Sequence, residues 1–371
     1  MNKVVVTGIG LVTPLGLGRE KSWKALLEGR SAVSPDKEYK SILSARVKNL
    51  PMPEEVRLVS LGFLAASEAI KDSFPETYDN MGCTVSVSKP NLAFSKPGTI
   101  KFSDIYMQST VGEQLYRIFK LHGPLRNISA ACATGTNSVI LGAEWIKHGI
   151  CDMVIAGACE SSFHPLYIAG FRQMGVLAKK AVRPFDKNRE GFAMGEGAGV
   201  FVLERKDSAM LRGAKIYGEI LGTAMANDAS DIVSFENSGR VISKSINLAL
   251  QKSNLRSIDY INAHGTATKL NDLIETRAIK TVFKDSFGHI SVSSTKAATG
   301  HLLGASGAIE LAFCLLSMRD KMVPPTLNLE EIEDGFDLDY VPKTAKSKMV
   351  TNAMSLSFGF GGQIGVIVVG E

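Results

Sequence analysis

Residues 127–138 read Asn-Ile-Ser-Ala-Ala-Cys-Ala-Thr-Gly-Thr-Asn-Ser. Cys132 lies among small side chains, after the turn signal Gly123-Pro124 and before a helix-forming run over 137–148. A cysteine where a tight turn opens a helix gains two advantages. The free N–H groups and dipole of the helix N-terminus favour a thiolate. Small neighbours let a substrate approach the backbone closely. The same stretch also suits a buried small hydrophobe, the role of most free cysteines. The rest of the chain has to separate the two.

Outward from Cys132, strand and helix signals alternate. Residues 3–9 form a β-branched run that ends on glycine, as a buried strand does. Gly8 and Gly10 begin a dinucleotide fingerprint, but Thr13 stands where its third glycine belongs. Apolar spacing predicts helices over 19–28, 56–72, 109–120, 239–252 and 271–283, and one reaching about 318. Strands are expected over 83–88, 152–158, 200–204, 216–226, 260–263, 290–294, 349–356 and 364–369, and a loop over 89–103. Such alternation favours parallel-rich α/β layers. The series runs twice, predicting two similar halves, 1–213 and 214–371, each with a reactive-looking side chain at a strand–helix junction.

Composition narrows the function classes. The 371 residues are 45% apolar and 21% charged, as in ordinary globular chains. The net charge of +5 comes without long Lys/Arg blocks, so a nucleic-acid arm is not expected. No apolar run reaches the length of a membrane span, and the N-terminus lacks a signal-peptide pattern. Five cysteines, an odd count without C-x-x-C spacing, suggest neither a disulfide framework nor a zinc site and point to a cytoplasmic setting.

Two histidines stand in matching frames. His264 follows a strand in Asn-Ala-His-Gly-Thr-Ala-Thr; His301 heads a helix in Ala-Ala-Thr-Gly-His-Leu-Leu-Gly-Ala. One such histidine is ordinary, whereas two flanked by glycine suggest convergence on one pocket. His122, His148, His164 and His289 lack the frame and are expected at the surface. A Cys/His/His set has a coherent chemistry. The thiolate attacks an acyl thioester, imidazole N–H groups steady an enolate oxygen formed by decarboxylation, and backbone N–H groups hold the other oxyanion. Glu310 lies in the middle of an apolar helix and needs a partner, for which Lys296 is the simplest choice. Thr266 and Thr268 suit a polar tether such as pantetheine amides, or simply stabilise a turn. Asp272 and Glu275 are expected to cap the next helix and face solvent. Gly359-Phe360-Gly361-Gly362 reads as a pocket gate or a plain hairpin turn.

With these motifs in hand, the sequence resembles the β-ketoacyl-acyl carrier protein synthases of the thiolase superfamily, nearest the type I/II elongating enzymes. Val4–Gly16, Ser129–Gly135, Arg183–Glu204, Tyr260–Thr268, Ser294–Glu310 and Ser357–Gly362 carry the resemblance in the family's order. It implies a thiolase-like five-layer αβαβα fold and decarboxylative Claisen condensation of a Cys132-bound acyl chain with malonyl-acyl carrier protein. It also implies that His264 and His301 promote decarboxylation and condensation, supported by Lys296 and Glu310. The backbone N–H groups of Cys132 and Phe360 would form the oxyanion hole. Thr266, Thr268 and Phe360 would meet the phosphopantetheine arm. No metal or other cofactor is implied; the partners are an acyl carrier protein and a second ketosynthase chain, in a homodimer or a heterodimer.

Four departures bear on specificity. The segment before Cys132 is shorter than the family's by about thirty residues. Val85-Ser-Val-Ser-Lys-Pro replaces a glycine-rich stretch, Lys269 replaces a proline, and Gln363-Ile364 follows the glycine loop where Thr-Asn is usual. They motivate an alternative: a chain-length-determining subunit of a heterodimer with little catalysis of its own. A thiolase is disfavoured, since no cysteine follows Cys314, which lies inside an apolar helix.

Overall fold

The computed structural model describes residues 1–52, 56–74, 80–90, 92 and 110–371. Apart from 89, 90 and 92, the loop expected over 89–103 lies outside the described residues. The principal elements of the first half are β1 (Val4–Thr13), α1 (Arg19–Leu27), α2 (Arg57–Ser73), β2 (Met81–Cys83), α3 (Thr110–Ile118), α4 (Thr134–Lys147), β3 (Met153–Glu160), α5 (Pro165–Gln173) and β4 (Gly197–Arg205). Those of the second half are β5 (Gly218–Asn227), α6 (Arg240–Ser253), β6 (Tyr260–Asn262), α7 (Lys269–Phe283), β7 (Ser291–Ser293), α8 (Ser306–Asp320), β8 (Asn352–Gly359) and β9 (Gln363–Gly370).

The two halves repeat one topology. In the second, β7 and β8 flank β6 in parallel, while β9 runs antiparallel to both β8 and β5. In the first, β2 is parallel to β3, and β4 runs antiparallel to both β3 and β1. Cys83 bridges in parallel to Leu125, so the segment leading to Cys132 occupies the place that β7 takes in the second half. The halves join where β1 meets β5, with Val5 opposite Glu219 and Val6 opposite Gly218.

Parallel-rich layers do not appear: the longest strands pair antiparallel. For β8 and β9 the reason is local. The three residues 360–362 join β8 to β9 directly, and a short connection permits only an antiparallel pair.

Helices cover both outer faces, with α2 on β1 and β4 and α6 on β5 and β9. Between the sheets lie α4 and α8, each touching strands of both halves, which makes five layers, αβαβα. Helix α8 is buried from Ser306 to Met318, as an element apolar on every side must be. The two central helices approach closely at Gly135, where a Cβ would stand 2.8 Å from Ala308 N. That crossing brings the starts of both helices, and therefore Cys132 and His301, to one end of the middle layer.

Candidate active site

Cys132 sits in a single 3-10 turn, Ala131–Ala133, immediately before α4. Ala131 holds φ at +46°, in the left-handed region that a β-carbon disfavours. The Thr134 hydroxyl pins this bend, accepting from Ala130 N (2.9 Å) and donating to Ala131 O (2.7 Å). The thiol is nearly enclosed, with 7% of the residue exposed. Burial pushes it up to about 11; Lys89 and Lys296 oppose that rise, while Glu160 and Glu310 reinforce it. The helix start is therefore not enough to make a resting thiolate at neutral pH.

Opposite the turn lies Gly359, the last residue of β8. A Cβ there would come within 2.9 Å of Cys132 N and 2.8 Å of Ala130 O, so a glycine is required. Among the described residues, neither the Cys132 N–H nor the Phe360 N–H donates to a protein acceptor. The Phe360 loop is both a hairpin turn and part of the cavity wall, and it is tied down. Gly361 N donates to Ile232 O (2.7 Å), and Asn227 Nδ2 donates to Gly361 O (2.9 Å).

The two histidines meet at this turn. Their rings are edge to face with centroids 5.4 Å apart. Phe192 stands edge-on to His301 at 4.8 Å, and Phe358 to His264 at 5.4 Å. Burial holds both imidazoles well below the usual histidine range, and the Lys296 ammonium adds to it. Both rings are thus neutral at pH 7. Leu303 N donates to His301 Nδ1 (3.3 Å), and the Ser306 hydroxyl lies 2.9 Å from the same atom. The amide can only donate, so Nδ1 carries the lone pair and the ring proton sits on Nε2.

Lys296 is fully buried and reaches two acceptors, Glu310 Oε1 (2.5 Å) and the His264 carbonyl. The pairing expected for the mid-helix glutamate is present. Through it, α8 holds the strand end that carries His264.

Asp272 and Glu275 do not face solvent; both are wholly buried. Glu275 accepts from His264 N (2.7 Å) and Gly265 N (2.8 Å), and Asp272 from Phe185 N (2.8 Å) and Ala267 N (3.2 Å). Free backbone donors in a tight loop supply the compensation that makes burial of these acids tolerable. Arg189, also buried, donates to the carbonyls of Asp186, Thr268 and Lys269. The Arg183–Glu204 stretch is thus a clamp on the His264 loop, a role its sequence did not disclose. The Thr266 and Thr268 hydroxyls lie 3.1 Å apart on the same loop.

A cavity of about 210 Å³ joins these parts. Cys132, His264, His301, Thr266, Thr268 and Phe360 all line it, and the partly exposed Val233, Met174 and Leu270 lie at its walls. Lys296 and Glu310 stand behind the histidines rather than in the cavity. Cys314 lies within α8 with its thiol against Met354 O (3.6 Å) and does not reach the site. His122, His148 and His289 are exposed as expected. His164 is a correction: it is buried and caps α5, accepting from Leu166 N (3.2 Å). Proline at the next position fixes the helix start, which turns the ring inward. Among the described residues, no three His, Cys, Asp or Glu side chains are grouped to hold a metal ion.

A thiolase-like fold with a cysteine and two neutral histidines over one cavity defines a class of acyl-transferring, carbon–carbon bond-forming enzymes. The chain belongs to the β-ketoacyl synthase family. The family's N-terminal domain matches residues 1–81 and 57–209, and its C-terminal domain matches 217–330. The 3-oxoacyl-[acyl-carrier-protein] synthase 2 of Vibrio harveyi is 35% identical over 99% of this chain and 98% of its own length. The protein of that name from Synechocystis is 35% identical over 97% and 96%. The Vibrio alignment runs to 405 positions against 371 residues, so the relative carries segments this chain lacks. One chain of a type II PKS acyl-carrier protein in complex with its ketosynthase bound to the hexaketide superposes with a TM-score of 0.92. It is 30% identical, covering 100% of this chain and 99% of that one. The ishigamide ketosynthase/chain length factor gives 0.90 at 28% identity, with 100% and 99% covered.

Proposed function

We propose that the protein elongates acyl chains carried on an acyl carrier protein. The observation that carries this reading is the meeting of Cys132, His264 and His301 at one cavity, rings 5.4 Å apart. In the first half-reaction the Cys132 sulfur attacks the thioester carbonyl of an acyl-carrier protein. The carrier's thiol leaves, and the acyl group is held as a Cys132 thioester. The thiol proton passes to the departing sulfur, so no net charge builds in the cavity.

In the second, malonyl-carrier protein enters along Thr266 and Thr268, whose hydroxyls accept from and donate to the amides of its pantetheine arm; their place on the cavity wall supports this. Loss of CO2 leaves an enolate whose oxygen receives the His301 Nε2–H and an N–H of His264. Each neutral ring still carries one N–H to donate, so no proton has to be taken up before the enolate forms. The enolate carbon attacks the Cys132 thioester, and the tetrahedral oxyanion receives the Cys132 and Phe360 N–H groups. Collapse expels the Cys132 sulfur, which takes up a proton, and the β-ketoacyl chain departs on its carrier. Lys296 and Glu310 position His264 from behind.

Carriage on phosphopantetheine makes the acyl carrier protein both substrate and partner. A second ketosynthase chain, identical or related, completes the assembly. The relative named as a ketosynthase/chain length factor keeps the subunit reading in view, but the gathered Cys/His/His set favours catalysis. The test is transfer of an acyl group from its carrier to the protein. Cys132→Ala is expected to abolish it, and continued transfer to that variant overturns the proposal.

A further inference from the structure

A second lysine–glutamate pair is tied to the turn that holds Cys132. Glu160 ends β3 and is buried. Its carboxylate accepts from the Ser88 and Ser162 hydroxyls and from Gly304 N (3.2 Å), and it pairs with Lys89 Nζ at 3.5 Å. Gly304 belongs to the 3-10 turn Leu303–Ala305, which packs on the turn holding Cys132. Lys89 Nζ also donates to Ser88 Oγ (2.7 Å) and stands 5.7 Å from the centre of the Tyr167 ring. Tyr167 packs on the apolar cluster that contains Cys132, and its hydroxyl donates to Pro90 O (2.7 Å). Ser129, three residues before the cysteine, donates to Ser88 O (2.8 Å). The pair is therefore anchored on both sides of the nucleophile's turn.

We propose that Lys89 and Glu160 are a positioning pair for the Cys132 thiol, the Lys89 cation offsetting the Glu160 carboxylate beside the nucleophile as Lys296 offsets Glu310. The proposal rests on Cys132 being the nucleophile. A carboxylate close to a buried thiol opposes formation of the thiolate, and a cation paired with it removes that opposition. Among the described residues, the charged groups that act on the Cys132 thiol are Lys89 and Glu160 from the first half and Lys296 and Glu310 from the second, while His264 and His301 share its cavity.

The test is alkylation of Cys132 by iodoacetamide in the full-length protein, followed at Cys132 by peptide mass spectrometry between pH 6 and 9. Lys89→Met leaves Glu160 unopposed and is expected to slow alkylation at least about threefold at each pH, equivalent to half a pH unit. Lys89→Arg keeps the cation and stays within about twofold of the wild type. Glu160→Gln removes the opposing charge and reacts faster than the wild type, and joined to Lys89→Met it restores the rate. One rate for all variants overturns the proposal, as does equal slowing by Met and Arg. If Lys89→Met does not fold, Glu160→Gln decides: no acceleration overturns the pair's role. Acylation of wild-type Cys132 is scored separately, so an absent acyl adduct with charge-sensitive alkylation overturns the proposed function and leaves the charge pair standing.

Discussion

At the residue scale the site separates protonation tasks by environment. Burial with Lys296 nearby keeps His264 and His301 neutral, and burial keeps Cys132 protonated at rest. Because the thiol is raised to about 11, its reactive thiolate is scarce at pH 7 and grows with pH until that value is passed. Alkylation of Cys132 is therefore expected to climb continuously from pH 7 to 10; a plateau reached by about pH 9.5, a unit above the ordinary thiol value of about 8.5, contradicts burial as the cause. His301→Ala removes the Nε2–H donor but leaves the cysteine. Cys132 should still be acylated, while release of CO2 from malonyl-carrier protein falls by about 10²-fold or more. Unchanged CO2 release would remove His301 from the decarboxylation step.

What was legible at this scale followed from frame and chemistry. Cys132 and His301 each stand ahead of a helix amid small residues and His264 follows a strand, patterns visible in the chain itself. Asp272 and Glu275 were not legible as buried groups, because acids on a helix usually face water. Their burial depends on loop N–H donors that only the fold brings near. Lys89 and Glu160 were hidden for the same reason, being 71 residues apart and paired only in three dimensions.

At the element scale, periodicity located most helices and strands but not how the strands pair. A period of two marks a strand without telling its direction; for β8 and β9 the short connection decides it. The start of α4 came earlier than its apolar run because Thr134 closes the preceding turn through its hydroxyl. The crossing of α4 and α8 sets the distance between Cys132 and His301. Gly135→Ala places a methyl 2.8 Å from Ala308 N and is expected to destabilise the protein by about 1–3 kcal/mol in urea denaturation. It should also lower condensation more than the loss of folded protein explains. A variant with unchanged stability would show that the close approach is not needed.

At the scale of the whole molecule, duplication explains why the site lies where it does. Each half carries a strand, a 3-10 turn and a central helix. Cys132, the proposed nucleophile, comes from the first turn, and His301 stands just before the second. Neither half contains the site alone. The charge pairs follow the same division, since Lys89 and Glu160 belong to the first half while Lys296 and Glu310 belong to the second. The two similar halves were foreshadowed by the repeated series of elements and the five layers by the family resemblance, whereas the strand order was not.

The central claim is that Cys132 carries the growing chain. The direct measurement is peptide mass spectrometry of the wild-type protein after incubation with an acyl-acyl carrier protein, before and after malonyl-carrier protein is added. The account predicts a stoichiometric acyl thioester on Cys132 that disappears as β-ketoacyl-carrier protein and CO2 form. An adduct on another residue, or one on Cys132 that malonyl-carrier protein does not discharge, would contradict it.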